Sequence, residues 1–469
     1  MSTPNKYSRR QFIGTASCAA IGSTTFFSTL FNLGMTNAAA AAARPLVGGD
    51  YKALVCILLA GGNDSFNMLI PRGATEYADY VDIRSNLAIP QADLLAINPA
   101  TNDGKEYGVH PSMPEVQQMF ESGRLAFISN VGTLVTPTSM SEILNGTANL
   151  PLGLYSHADQ IQQWQTSIPD ERATTGWAGR MADLLHSMNM NQNISMNISL
   201  AGNNLFQSGN QIVEYPILPY GNGSIGITGY GEGTAFNQIR TAAISSMMEQ
   251  EYQNLFEKTY ADITRNAQEA HELFSTAIAG VQPFGTDFSN HYVANSLEMV
   301  AKTIAARDVL GACRQTFFVT FGGWDHHDEL INKQENMLGV LSKALSDFNT
   351  VMEELGLEND VTTFTISDFA RTLTSNGNGS DHAWGGNQII MGGAVNGGDI
   401  YGTFPDLYED NPLDLGRGVL LPTTSADEVF AELALWFGVS SGDLDQVFPN
   451  ITNFYSPGSP DLPIGFMQV

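Results

Sequence analysis

The sequence predicts an α/β fold with a mostly parallel central sheet flanked by helices and an inserted loop-rich segment. Three observations carry that prediction: short apolar runs rich in Val, Ile and Leu, long helical stretches between them, and Gly- or Asp-bearing turns where the runs end. Tyr51 to Ala60 (YKALVCILLA) is apolar almost throughout, as a strand buried on both faces should be. Pro114 to Ser122 reads as a helix and leads into the second run, Leu125 to Val131 (LAFISNV). Residues 200–235, rich in Gly, Asn and Tyr without clear periodicity, read as the insertion. Helical patterns follow over residues 238–280 and 290–311, then a third run, Thr316 to Phe321 (TFFVTF). The pattern over 328–355 places Leu330, Met337, Leu338, Leu341, Leu345 and Phe348 at helical spacing. Val361 to Ile366 (VTTFTI) is the fourth strand and Gln388 to Met391 (QIIM) a weaker fifth; a helix near Ser425 to Phe437 and a Pro-rich tail close the chain. No fixed-period repeat is present.

Residues 1–43 read as an export signal, leaving 44–469 as a single domain. Ser8-Arg9-Arg10-Gln11-Phe12-Ile13 carries paired arginines, and Gly, Ser and Thr dilute the apolar stretch from Phe12 to Leu33. A membrane helix needs roughly 20 strongly apolar residues. The diluted stretch suits the twin-arginine route instead, with small-residue cleavage sites in Ala38 to Ala43. The expected location is therefore periplasmic or secreted, with the twin-arginine translocase as export partner, and the chain is not an integral membrane protein. Its 469 residues carry 48 Asp and Glu against 21 Lys and Arg, a net charge of −27. Such a surface excludes nucleic acid as a partner, because phosphate backbones need a basic stripe. Cys56 and Cys313, the two cysteines beyond the signal, allow one disulfide but no disulfide framework.

The chemistry gathers at the ends of the runs. The first enters Gly61-Gly62-Asn63-Asp64-Ser65, the third Gly322-Gly323-Trp324-Asp325-His326-His327, and the fourth Ser367-Asp368-Phe369-Ala370-Arg371. In open α/β sheets ligands bind beyond the carboxyl ends of the strands, so Asp64, Asp325 and Asp368 are expected to converge. Ser380-Asp381-His382 immediately precedes the fifth strand and reaches the same rim. Carboxylate oxygen with neutral imidazole nitrogen is a donor set for a divalent cation. His326 and His327 are adjacent and point opposite ways in extended chain, so one of them is expected to be a ligand. A lone Asp after a strand is, by contrast, ordinarily a turn residue or helix cap.

LLAGGNDSFNMLIP, GVHPSM, LYSHADQIQQWQT, TFGGWDHH, SDFARTLTSNGNGSDHAWGG and LALWFGV with the following VFPN resemble the secreted bacterial family designated domain of unknown function 1501, over essentially the whole mature chain. That family resembles the alkaline phosphatase-like superfamily, which includes sulfatases and cofactor-independent phosphoglycerate mutases. The resemblance implies a metal site at the strand ends, with Asp64, Asp325, His327, Asp368 and His382 as metal ligands. Two departures stand out: Asp325 and His327 are two residues apart where the superfamily spaces them by four, and Phe369 stands where it has a His. The ion is zinc, calcium or magnesium, undistinguished by sequence.

For the nucleophile, Ser156 precedes a helical pattern through Ile161 and Trp164, with His157 as ligand or general acid/base. The competing reading makes Ser156 an N-cap. Ser65 and Ser139 are weaker candidates. Arg371 either holds an anionic substrate or pairs with a structural carboxylate. His110, His186, His271 and His291 are expected to be structural. The function implied is an exported metal-dependent hydrolase of phosphate or sulfate esters, acting on a small ester or a glycan. The alternative is a non-catalytic binding or assembly protein that retains the fold.

Overall fold

β1 (Lys52–Ala60) is buried along almost its whole length, and its alternate side chains feed two different cores. Ala53, Val55, Ile57 and Leu59 join one, Leu54, Cys56 and Leu58 the other. A strand with no polar face belongs in the middle of a sheet covered on both sides, and β1 lies there. The computed structural model describes residues 51–469; the expected export signal lies outside the described residues.

Eight further strands complete the sheet: β2 (Leu125–Gly132), β3 (Asn197–Ser199), β4 (Tyr215–Pro216), β5 (Arg314–Gly322), β6 (Val361–Ser367), β7 (Gly386–Met391), β8 (Ile400–Tyr401) and β9 (Thr424–Ser425). Their order is β8-β2-β7-β6-β1-β5-β3-β4, with β9 also paired to β2. β1 runs parallel to β5 and β6. β7, the weak fifth run of the sequence, is antiparallel to both β2 and β6. No helix separates it from β6, and a strand that returns without a helical crossover comes back antiparallel.

The longer helices are α1 (Ala74–Arg84), α2 (Pro114–Glu121), α3 (His157–Thr166), α4 (Trp177–Leu185), α5 (Ala235–Glu249), α6 (Leu255–Ala279), α7 (Tyr292–Ala305), α8 (Leu330–Glu354) and α9 (Ala426–Phe437). α2, α7 and α8 cover one sheet face through Phe120, Leu297, Val300, Leu341, Leu345 and Phe348. α3, α4 and α9 cover the other through Trp164, Met181, Phe430, Leu433 and Trp436. Among the described residues no helix is long and apolar enough to cross a membrane.

Three expectations are corrected. The helix expected over 238–280 is two: Gln250 turns extended (φ −69°, ψ 137°), and the Asn254 side chain caps α6 by accepting the Phe256 N–H at 2.9 Å. The helix expected over 290–311 stops at Ala305 and is followed by one turn, Arg307–Leu310, that ends at Gly311 with φ +64°. The segment 200–235 is not wholly set apart, since Tyr215–Pro216 pairs in parallel with β3 and extends the main sheet. Cys56 lies opposite Phe318 rather than Cys313, and the two cysteines form no disulfide.

Asp427, in the first turn of α9, is buried. Burial pushes its carboxyl up to about 7, against the Ser167 hydroxyl and the Arg180 guanidinium, which favour the charged form. In the unfolded chain an Asp titrates near 3.9, so the folded state binds the extra proton between about pH 4 and pH 7. Stability should therefore fall as pH rises through that window and level off above it. Asp427→Asn should remove this slope. Urea midpoints at pH 5 and pH 8 check it: the variant gains on the native chain at pH 8, and equal differences at the two values would contradict the assignment.

Candidate metal centre

Strand register brings the distant motifs together. Ala60 lies opposite Gly322 and Leu59 opposite Ser367, so the three chains leave the sheet side by side. Gly61 and Gly62 take φ of +121° and +86°, a region that glycine enters freely. A Cβ on Gly61 would stand 2.5 Å from the Asp325 backbone nitrogen, so this turn needs glycine for the β1 and β5 exits to pack this closely. Asp368, buried at the β6 exit, accepts the Gly61 N–H at 2.9 Å.

Two further elements supply nitrogen. α3 begins at His157. His382 is set by the return of the chain after β6, where Ala383 N–H donates to the Ala370 carbonyl at 2.8 Å and Thr372 N–H to the Asp381 carbonyl at 2.9 Å. Phe369, in the place where the resemblance leads one to expect histidine, packs against the His157 and His382 rings at 4.8 and 4.4 Å between centroids. His157 Nδ1 lies 2.6 Å from Asp368 Oδ2.

The three rings share one hydrogen-bonding scheme. His157 Nδ1 faces Asp368, His327 Nδ1 faces Asp381 Oδ1 at 3.3 Å, and His382 Nδ1 faces the Tyr155 carbonyl at 2.8 Å. A carbonyl only accepts, so His382 Nδ1 carries the proton and its Nε2 offers a lone pair; the two carboxylates favour the same tautomer in the other rings. Each Nε2 then points at Asp325. His327 Nε2 is 3.1 Å and His382 Nε2 3.4 Å from Asp325 Oδ1, His157 Nε2 is 3.5 Å from Oδ2, and the Nε2 atoms of His327 and His382 are 3.0 Å apart. Lone pairs this close repel unless a shared proton or a metal cation sits among them. These separations, 3.0–3.5 Å, are close to the roughly 3.3 Å between neighbouring donors of a tetrahedral ion at 2.0–2.1 Å. Donor atoms of His157, Asp325 and His382 all lie within 4.8 Å of one another, and this group could hold a metal ion.

The local charges suit that use. Burial alone would raise the Asp325 carboxyl, but the Arg371 guanidinium, with His327 and His157 nearby, holds it below its ordinary value. Burial lowers His382, as do Arg371 and His157, against the Tyr155 carbonyl and the Asp325 carboxylate. Burial raises Asp368 against the Gly61 N–H and His157.

Of the expected ligands, Asp325, His327 and His382 meet in this cluster, and Asp368 stands behind it, holding His157. Asp64 is placed differently. It is fully buried, and its Oδ2 takes the Arg84 guanidinium at 2.5 Å and the Ser380 hydroxyl at 3.3 Å. A cation already answers Oδ2, while the buried Oδ1 has no hydrogen-bond partner among the described residues. Arg84 escaped the sequence reading because the polar pattern of α1 gave no sign of which carboxylate its last residue would meet.

Arg371 pairs with a carboxylate. Fully buried, it donates to the Gly62 carbonyl at 2.9 Å, the Ser380 carbonyl at 3.0 Å, the Gly61 and Trp324 carbonyls, and Asp325 Oδ1. Its donors are spent inside the protein, so it positions Asp325 and does not reach out to an anion. His326 is buried away from the cluster that His327 joins.

Ser156 is the N-cap of α3, accepting the Asp159 N–H at 3.5 Å. Ser65 Oγ accepts the Asn387 N–H at 2.9 Å, and Ser139 forms a capping box with Glu142. The remaining histidines have local partners: His110 faces Ser112, His186 the Met196 N–H, His271 Ser224, and His291 caps α7.

The cluster borders a cleft of about 450 Å³ lined by Tyr155, His327, Thr372, Asp381, His382 and Arg417 among others. A family model described as "Protein of unknown function (DUF1501)" matches residues 51–447. The chain belongs to this family. Every residue of the DUF1501 chain's cluster and cleft named above lies within the matched span. No curated protein matches the DUF1501 chain. Solved structures similar to it include Ps i-CgsB (11% identity over 86% of this chain and 77% of that one, TM-score 0.34). The PsFucS1 sulfatase from Pseudoalteromonas sp. is similar at 9% identity over 88% and 71%, with TM-score 0.33. The lipoteichoic acid synthase LtaP from Listeria monocytogenes is similar at 7% over 89% and 81%, with TM-score 0.32.

Proposed function

We propose that this chain is a metal-dependent hydrolase of phosphate or sulfate esters, exported by the twin-arginine route to the periplasm or beyond. The observation that carries the reading is the convergence of three imidazole Nε2 atoms on Asp325, each ring held from behind through Nδ1. Outer acceptors of this kind orient metal-bound histidines and raise their basicity. In this reading His157, Asp325, His327 and His382 hold one divalent ion. Three nitrogens and one carboxylate favour a borderline ion of the zinc type over calcium or magnesium, which prefer oxygen. The chemistry such an ion supplies is Lewis-acid polarisation of the ester oxygen. The internal Asp64–Arg84 pair supports one ion rather than two.

The chain's own groups divide the remaining work. Asp368, Asp381 and the Tyr155 carbonyl fix the ring tautomers, and Arg371 fixes Asp325. Arg417, exposed on the cleft wall and tethered to Asp381 Oδ2 at 2.5 Å, offers the local positive charge that an anionic ester needs on a strongly acidic protein. The overall charge disfavours long polyanions, so the substrate class is a small ester or an ester on an otherwise neutral glycan.

Ser156 acts here as a cap, and water as the nucleophile. Turnover of aryl phosphate and aryl sulfate esters is measured on the native chain and on Ser156→Ala after chelation and add-back of zinc. The expected result is activity that returns with zinc in both, with the variant about 1 kcal/mol less stable. Loss of activity by orders of magnitude in Ser156→Ala would make Ser156 the nucleophile. No turnover of either ester class with any divalent ion would remove the hydrolase reading.

A further inference from the structure

α6 carries a single apolar seam along its length. Phe256, Tyr260, Ile263, Ala267, Ala270, Phe274 and Ala277 alternate at spacings of four and three, the heptad repeat by which one helix packs along another. The C-terminal half of the seam, Ala270, Phe274 and Ala277, is buried in the core that also takes alternate side chains of β1. The N-terminal half runs on beyond that cover: Phe256 is 84% exposed, Tyr260 74% and Ile263 62%, and Ala267 is exposed too. α5, which packs on α6, leaves Phe236, Ile239, Ala243 and Met247 exposed at spacings of three, four and four. Eight large side chains are left in water on this hairpin when Leu255 and Leu273 are included. Over the two helices they amount to apolar surface on the order of 800 Å², about what one partner contributes to a stable dimer.

The geometry points to a second copy of this chain as the occupant, its α5–α6 hairpin packing seam to seam against this one in a two-fold helical bundle. Heptad spacing suits a helix, and a seam that repeats along a helix is self-complementary about a two-fold axis. The positions flanking the exposed seam are Glu257, Thr259, Thr264 and Asn266. With one charge among them, two copies of a chain of net charge −27 meet where repulsion is least. A lipid surface fits poorly. Arg240, Lys258 and Arg265 on residues 235–279 are outnumbered by Glu249, Glu251, Glu257, Asp262, Glu269 and Glu272, and amphipathic membrane helices rely on a basic polar face.

Sedimentation equilibrium of the full chain tests this against the double variant Phe256→Glu, Ile263→Glu, whose positions are exposed and leave the core untouched. The native chain is expected at twice its monomer mass and the variant at the monomer mass, with the circular dichroism spectra superimposable. A native chain that stays monomeric overturns the proposal, as does a variant that stays dimeric. Flotation of a monomeric native chain with anionic phospholipid vesicles, lost in the variant, would assign the seam to lipid and overturn it equally.

Discussion

Asp325→Asn is expected to lower affinity for a zinc-type ion by at least 100-fold and to take hydrolysis with it. The amide retains the shape of the carboxylate and an oxygen for the Arg371 guanidinium, which also keeps its bonds to the Gly61, Gly62 and Ser380 carbonyls. What disappears is the negative charge on which all three Nε2 atoms converge, together with one anionic donor. Substitution of groups that only support ligands typically costs 10- to 100-fold in affinity, and loss of a ligand should exceed that. Equilibrium dialysis of zinc, with thermal melting alongside, measures both consequences. Native-like melting with lost binding is the expected pair. Unchanged zinc affinity would show that Asp325 serves Arg371 alone.

The largest effect on stability is expected at Arg84. It and Asp64 are both fully buried, at 2.5 Å, and Arg84 also bonds the Asn67 side chain at 3.1 Å and the Thr372 and Leu373 carbonyls at 3.1 and 3.2 Å. Removing one partner of a buried pair strands the other charge, so Arg84→Ala should cost about 3–5 kcal/mol in urea unfolding. Replacing both by apolar residues, Arg84→Met with Asp64→Leu, should recover much of that loss, because the stranded charge is then gone. The Thr372 and Leu373 contacts tie Arg84 to the segment that carries His382, so zinc affinity should also weaken in the single variant. A cost below 1 kcal/mol would mean that water reaches Asp64 and replaces the guanidinium.

The fold was legible where burial is two-sided. β1 announces itself as an apolar run and β5 and β6 as runs of β-branched and aromatic residues because both faces are covered, and their ends carry the Gly-Gly and Asp residues that the sheet then aligns. The direction of β7 was not legible, because a short apolar run reads the same either way and only the connection after Asp368 decides it. The break between α5 and α6 was hidden because polar residues at 250–254 interrupt neither helical composition nor length.

Within the site, His382, Asp325 and His327 could be picked out because they sit in dense clusters of polar residues at strand ends. The fate of Asp64 could not, since its partner comes from the end of a helix with no apolar signature. Nor could the Tyr155 carbonyl be foreseen, because every residue has one and only the fold selects which of them faces a ring nitrogen. Arg371 was visible as a cation near Asp368, but its burial, which turns an anion clamp into a support for Asp325, is a property of packing alone.

X-ray absorption at the metal edge, on chain purified without chelator and reconstituted with one equivalent of zinc, tests the central claim most directly. Three nitrogen scatterers of imidazole type and one oxygen at about 2.0–2.1 Å are expected. A shell of oxygens alone, or zinc that dialyses away as readily as from His157→Ala, would contradict it.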